Sequence, residues 1–222
     1  MKRIEERHAP LITFEGIDGS GKTTQIQLLS SWLEKKSIRY RIIREPGGTA
    51  ISEKIRDLLL DTKNSGMNAV CEMFLFSAAR AQVTSEVILP ALSGGIVVIC
   101  DRYYDSTTAY QGYGRGLDVE NLAHVHAMAT FDTRPDCTFF LDISPEDAFA
   151  RKARSRERSD RMESAPLAFF QRVRAGYLEL ARKEPKRWTI VDASLSRQEI
   201  ADAVIVKTEL LLKTYHHDSF EH

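Results

Sequence analysis

Cysteine is scarce in this chain. Only Cys71, Cys100 and Cys137 occur in 222 residues. An odd count without paired spacing excludes a disulfide framework and a zinc site. Cys100 and Cys137 fall in apolar, strand-like runs and read as small core residues. An excess of one charge is also missing, since 31 Lys and Arg balance 31 Asp and Glu. A global field for nucleic acid is thereby excluded, and any charged ligand must be met locally. No apolar run approaches the ~20 residues of a membrane span. The opening "MKRIEERHAP" has no apolar segment of the kind a signal peptide needs. Internal repeats and low-complexity linkers are absent too. These absences lead us to expect a cytoplasmic protein in a reducing compartment, with no membrane or nucleic-acid partner. The length suits one domain, residues 1–222, that buries a core without disulfides or structural metal.

What is present is alternation. Short apolar runs at 11–16, 40–45, 95–100, 137–143 and 188–193 read as strands. Helical patterns lie between them. One follows Gly21, with Ile26, Leu29 and Leu33 on its apolar side. Others cover 50–60, 68–92 and a stretch near 119–131. Another opens at Ser144 and Pro145, a cap followed by a first-turn proline. A last one begins at "SRQEIADAVIVKTELLLK", and the tail "TYHHDSFEH" (214–222) is expected to fray. Strands alternating with helices predict an α/β fold, a five-stranded mostly parallel sheet with helices on both faces.

The sharpest motif is "GIDGSGKT" at 16–23. It follows a predicted strand and opens a predicted helix, the setting a phosphate-binding P-loop requires. Gly16, Ile17, Asp18, Gly19, Ser20 and Gly21 let successive N–H groups face one anion. The helix N-terminus adds partial positive charge. Lys22 reaches the β- and γ-phosphates, and the Thr23 hydroxyl lies where Mg²⁺ needs an oxygen ligand.

A cradle alone does not separate a kinase from a switch or a motor. No clear N-K-x-D element of a guanine reader is found. Residues 151–161, "RKARSRERSDR", hold six basic residues opposed only by Glu157 and Asp160. A solvated helix face is the bland reading. A lid over about 151–162 is the sharper one, since phosphoryl transfer needs positive charge and exclusion of water.

Five stretches, the cradle among them, carry a family resemblance: "FEGIDGSGKTTQ", "REPGGT" (44–49), "LFSAAR" (75–80), "DRYYDSTTAYQG" (101–112) with "GRGLD" behind it, and "SDRMES". Taken in this order along residues 10–212, the sequence resembles a bacterial thymidylate kinase (dTMP kinase) of the P-loop nucleoside-monophosphate-kinase class. The resemblance implies transfer of the γ-phosphoryl group of ATP to dTMP, with Mg²⁺ and a homodimer. It implies that Arg102 grips the dTMP phosphate, as a fork-shaped donor suits. Asp101 would orient Arg102 or lie near the Mg²⁺ water shell, and Asp18 would help hold Arg102 or those waters. Thr107 would meet the thymine N3 edge, with Gln111 a neighbouring contact. Tyr110 would pack under the deoxyribose at C2′. Phe76 would stack on thymine and Arg80 would donate to its O4. Arg56 would be a second phosphate ligand. Glu45 would stand beside the acceptor, and Glu45–Pro46 is expected to be cis.

Some thymidylate kinases carry an arginine inside the cradle, and this chain does not. The lid is then expected to supply the transition-state cation, from Arg154, Arg156, Arg158 or Arg161. The apolar helix at 68–92 is the expected dimer face. The sequence leaves open another small nucleotide or nucleoside kinase on the same scaffold, a non-catalytic nucleotide switch, and an inactive scaffolding relative.

Overall fold

The structure is a computed structural model, and it describes residues 7–153 and 160–217. Five parallel strands form one sheet: β1 (Leu11–Glu15), β2 (Tyr40–Arg44), β3 (Val97–Asp101), β4 (Cys137–Asp142) and β5 (Trp188–Asp192). Their spatial order is β2-β3-β1-β4-β5. The sheet is therefore parallel throughout, with β1 at its centre. Ile12 pairs with Ile99 on one side and Cys137 on the other. A strand buried on both faces must be apolar on both, which is why "LITF" shows no alternation.

Side chains of the sheet divide between two cores. Ile12, Phe14 and Phe139 pack with Leu29 and Leu33 from α1 (Lys22–Lys35). Leu11, Val98 and Cys100 pack with Val83 and Ile88. Cys100 and Cys137 are buried free thiols, as expected of core residues.

The helical run expected over 68–92 is observed, with an interruption. Asn68 caps α3 (Ala69–Val83), a wider π turn covers Thr84–Ile88, and α4 (Leu89–Ser93) completes it. Pro90 stands in its last segment, where it offers no backbone N–H. Around it lie α2 (Ala50–Leu60), α5 (Tyr104–Thr107), α6 (Val119–Thr130) and α7 (Pro145–Lys152). Ser144 caps α7 through its hydroxyl, which accepts from Asp147 N at 3.1 Å.

Two expectations need correction. The long α8 (Leu167–Lys183) had no counterpart in the sequence reading. Its buried Phe169, Phe170, Val173, Tyr177 and Leu180 recur at helical spacing, so the signal was present. The chain is still helical at 214, because α9 (Arg197–His217) continues into the first four residues of the tail. Leu212 is buried, and the Tyr215 hydroxyl donates to Asp136 at 2.9 Å, which ties that turn to the body. Residues 218–222 lie outside the described residues. Among the described residues, no helix is long and apolar enough to cross a membrane.

Chain connectivity selects one end of the sheet. From β1 the chain crosses toward β2, and from β3 it crosses back toward β4. Adjacent strands whose crossovers diverge leave a crevice beyond their carboxyl ends, where ligands bind in open parallel sheets. That is where Gly16 and Arg102 lie.

Candidate active site

The turn between β1 and α1 is built by glycine. Gly19 has φ 87°, and a Cβ there would come within 2.6 Å of the Ala148 carbonyl oxygen. A side chain would meet backbone and strain at once. α1 begins without an acidic residue in its first turn and without a side-chain cap at Gly21. Its N-terminal partial charge is therefore left for an external anion. Lys22 is buried and donates to the carbonyls of Gly16 (3.0 Å) and Ile17 (3.1 Å). Burial, then the charge of Arg102, lowers its pKa.

Arg102 follows β3 in a left-handed conformation, φ 70°. Its Nη2 donates to Asp18 Oδ1 at 2.8 Å, and its Nη1 to Gly16 O at 2.9 Å. The guanidinium lies 5.2 Å from the centre of the Tyr110 ring. Of the two partners weighed for it, the ion pair is with Asp18, and Asp101 does not provide it. Burial works to raise the Asp18 pKa, but Arg102 and Lys22 outweigh it and hold the carboxylate well below its ordinary value.

The predicted substrate residues converge. Glu45, Pro46, Arg56, Phe76, Arg80, Arg102, Thr107, Tyr110 and Gln111 all line one cavity of about 100 Å³. The Glu45–Pro46 bond is cis. Arg80 and Glu45 form a buried pair at 2.7 Å across the cavity floor. Burial still raises the Glu45 pKa. Several polar atoms here are buried with no protein partner: Arg80 Nη1, Thr107 Oγ1, Tyr110 Oη and Glu45 Oε1. Unpaired buried polar groups are costly, so four around one cavity mark it as a place where a ligand's donors and acceptors would be met.

A second cleft of about 610 Å³ runs over the P-loop and is bordered by Lys22, Thr23, Asp101, Arg151 and Lys152. The two spaces share Asp18, Glu45, Arg56 and Arg102. Arg102 thus stands on the boundary between them.

Arg161 is placed elsewhere than expected. Its Nε donates to Leu59 O at 2.7 Å and its Nη1 to Glu72 Oε2 at 2.6 Å, with the side chain buried. A guanidinium spent on a buried carboxylate is not a free cation over a phosphate, so the expectation for Arg161 is corrected. Arg154, Arg156 and Arg158 lie outside the described residues.

Sequence reasoning missed the groups behind the cavity. Glu72 gathers Gln111 Nε2 (2.8 Å), Arg115 Nε (3.2 Å) and Arg161 into one buried knot. Glu15, fully buried, accepts from Ser106 Oγ and Tyr177 Oη. A carboxylate inside an apolar strand was the available signal for Glu15. Tyr177 comes from the unforeseen α8.

Comparison with known proteins agrees with this geometry. A family profile described as Thymidylate kinase matches residues 14–204. A thymidylate kinase of Chlorobaculum parvum is 47% identical over 209 residues, covering 90% of this chain and 96% of the relative. One of Chlorobium luteolum is 50% identical over 206 residues, covering 89% and 95%. One of Symbiobacterium thermophilum is 52% identical over 189 residues, covering 85% and 87%.

Proposed function

Because the chain belongs to the thymidylate kinase family, and so transfers a phosphoryl group from ATP to dTMP, we propose that its two joined spaces hold the two nucleotides. The large cleft takes the ATP phosphates and the small cavity takes dTMP. One observation carries this reading: Arg102 borders both spaces. The second pKa of a phosphate monoester is about 6, so the attacking oxygen of dTMP is already an anion at neutral pH. No general base is needed. The obstacle is repulsion between two polyanions, and the work is neutralisation and alignment. Lys22 serves the donor phosphates, Arg102 the acceptor phosphate, and Arg56 assists it.

The unpartnered atoms divide dTMP among them. Arg80 Nη1 is a donor suited to thymine O4, and Thr107 Oγ1 suits the N3 edge. Phe76 supplies the stacking face and Tyr110 the wall beneath the deoxyribose. Gln111, tied to Glu72, is a neighbouring contact, and Glu45 stands beside it as an acceptor. The lid arginines Arg154, Arg156 and Arg158 remain the proposed source of the transition-state cation.

Mg²⁺ fits this site. Asp101 Oδ1 is buried without a partner and borders the same cleft as Thr23. Thr23 would hold the ion and Asp101 its water shell, and the ion would add charge neutralisation between the phosphates. We also propose a homodimer through the face where Val70 and Phe74 of α3 and Met128 of α6 lie exposed. Sedimentation at micromolar concentration tests it. A cytoplasmic setting accords with three free thiols.

Coupled ADP release with ATP and a panel of nucleosides and monophosphates tests the substrate. Arg102→Ala is expected to lower kcat/KM for dTMP by about 100-fold or more. Near-normal turnover in that variant would overturn the role given to Arg102.

A further inference from the structure

Glu15 lies behind Arg102 and touches neither space. It ends β1, is fully buried, and gathers donors from the turn before α5, from α5 and from α8. Its Oε1 accepts from the backbone N–H of Tyr103 at 2.8 Å. Its Oε2 accepts from Ser106 Oγ at 2.5 Å and from Tyr177 Oη at 2.9 Å. The same two hydroxyls face the Arg102 guanidinium, with Nη1 3.2 Å from Ser106 Oγ and 3.4 Å from Tyr177 Oη. Hydrogen accounting gives this arrangement a direction. An ionised carboxylate has no hydrogen, and each hydroxyl has one. The two hydroxyls also lie 2.9 Å apart, but the ionised Glu15 Oε2 is the stronger acceptor; with both hydrogens spent on it, both oxygens turn their lone pairs toward Arg102. Meanwhile the Tyr103 N–H anchors the chain next to the one residue of this turn held at positive φ, Arg102 itself.

We infer that Glu15 is a positioning residue for acceptor binding: through Ser106, Tyr177 and the Tyr103 amide it orients Arg102 toward the dTMP phosphate. The inference rests on the reading of Arg102 as the phosphate ligand. Protonating Glu15 would give its Oε2 a hydrogen, turn one hydroxyl around and aim an O–H at the guanidinium. Burial, and then Asp105, push the Glu15 carboxyl up to about 7. The charged and titratable groups around it are Arg102, Lys22, Asp105, Cys100, Tyr110 and Tyr177. Asp105 is itself raised by burial but bound by Arg187.

Glu15→Gln separates orientation from packing. The amide keeps a carbonyl for the Tyr103 N–H, but its NH₂ donates where the carboxylate accepted, so both hydroxyls reverse. Steady-state kinetics at about pH 8, above the Glu15 midpoint, should show KM for dTMP raised about tenfold or more. KM for ATP should stay within about twofold. The thermal midpoint should not fall, since a buried charge has been removed. The wild-type profile of kcat/KM for dTMP should carry a step near the Glu15 midpoint that Glu15→Gln lacks, while the step of dTMP itself, near ~6, persists in both. A folded Glu15→Gln with wild-type KM for dTMP and an unchanged profile would overturn the inference. Should Glu15→Gln not fold, the double variant Ser106→Ala/Tyr177→Phe decides, with KM for dTMP expected up about fivefold and an unchanged value overturning it. Arg102→Ala is run beside them. If it binds dTMP normally, the reading of Arg102 has failed; if it loses dTMP while Glu15→Gln keeps it, only the role of Glu15 has failed.

Discussion

The two halves of the site, proposed for the donor and the acceptor, are built by opposite means. The proposed donor cradle is eight consecutive residues, Gly16 to Thr23, the turn after β1 and the first two residues of α1. What it offers a ligand is largely backbone N–H groups, and its glycines let the chain pass. The acceptor cavity draws on segments from Asp18 to Met162. What it offers is side chains, held by a floor pair (Glu45–Arg80) and a wall knot (Glu72 with Gln111, Arg115 and Arg161). A local device tolerates changes elsewhere in the fold. A device assembled from distant segments depends on the burial that brings them together.

Mutations can strain that contrast. The largest effect is expected on the donor side: Lys22→Ala should cost about a thousandfold in kcat while leaving the denaturation midpoint nearly unchanged. Loss of fold instead would mean the cradle is not local. Next, Glu72→Ala should destabilise by about 3 kcal/mol in urea unfolding, because it leaves the buried Arg161 unpaired. It should also raise KM for dTMP. A stable variant with normal kinetics would remove the knot from the account of the wall.

Smaller changes probe single contacts. Thr107→Val should cost about 1 kcal/mol in dTMP affinity and little in ATP affinity. Discrimination against dUMP, which lacks one methyl, should remain modest, about 10- to 200-fold in kcat/KM, and sharper against cytosine monophosphates.

The slightest signal should be in stability against pH. Glu15 binds its proton more tightly folded than unfolded, from 4.5 up to about 7. The folded state carries more protons in that window, so this group's contribution is present below about 4.5 and lost as pH rises through about 7. Asp18 and Glu72 are shifted the other way, by Arg102 and Lys22 for the first and by hydrogen bonds from Gln111, Arg115 and Arg161 for the second, each against the opposing effect of burial. Their contribution is present above their unfolded values and lost on acidification. Thermal midpoints of wild type and Glu15→Gln across this range check the sign.

Much of this is legible in the sequence alone. Strand runs, caps and the alternation of elements placed the sheet, because burial on both faces forces apolar strands. α8 is hard to read although its aromatic residues keep helical spacing, since Gln171, Arg172, Arg174 and Glu179 between its buried residues blur the pattern. Phe76 and Arg80 were placed in the acceptor site by their motif; their own spacing marks only one helix face. Arg161 reads as a lid cation in the sequence because a charge run does not show which member turns inward. Once the chain folds, Glu72 is already buried beside it, and the pairing of the two charges outweighs solvation of the arginine.

What the sequence by itself determined is the phosphate cradle and the kind of sheet that carries it. Both depend on local properties, the freedom of glycine and the period of burial. Only the tertiary structure decided that Arg102 pairs with Asp18, that Glu15 stands behind it through two hydroxyls, and that one arginine of the basic run supports the acceptor wall. Those choices depend on which charges lose water together, and spacing along the chain carries no record of that.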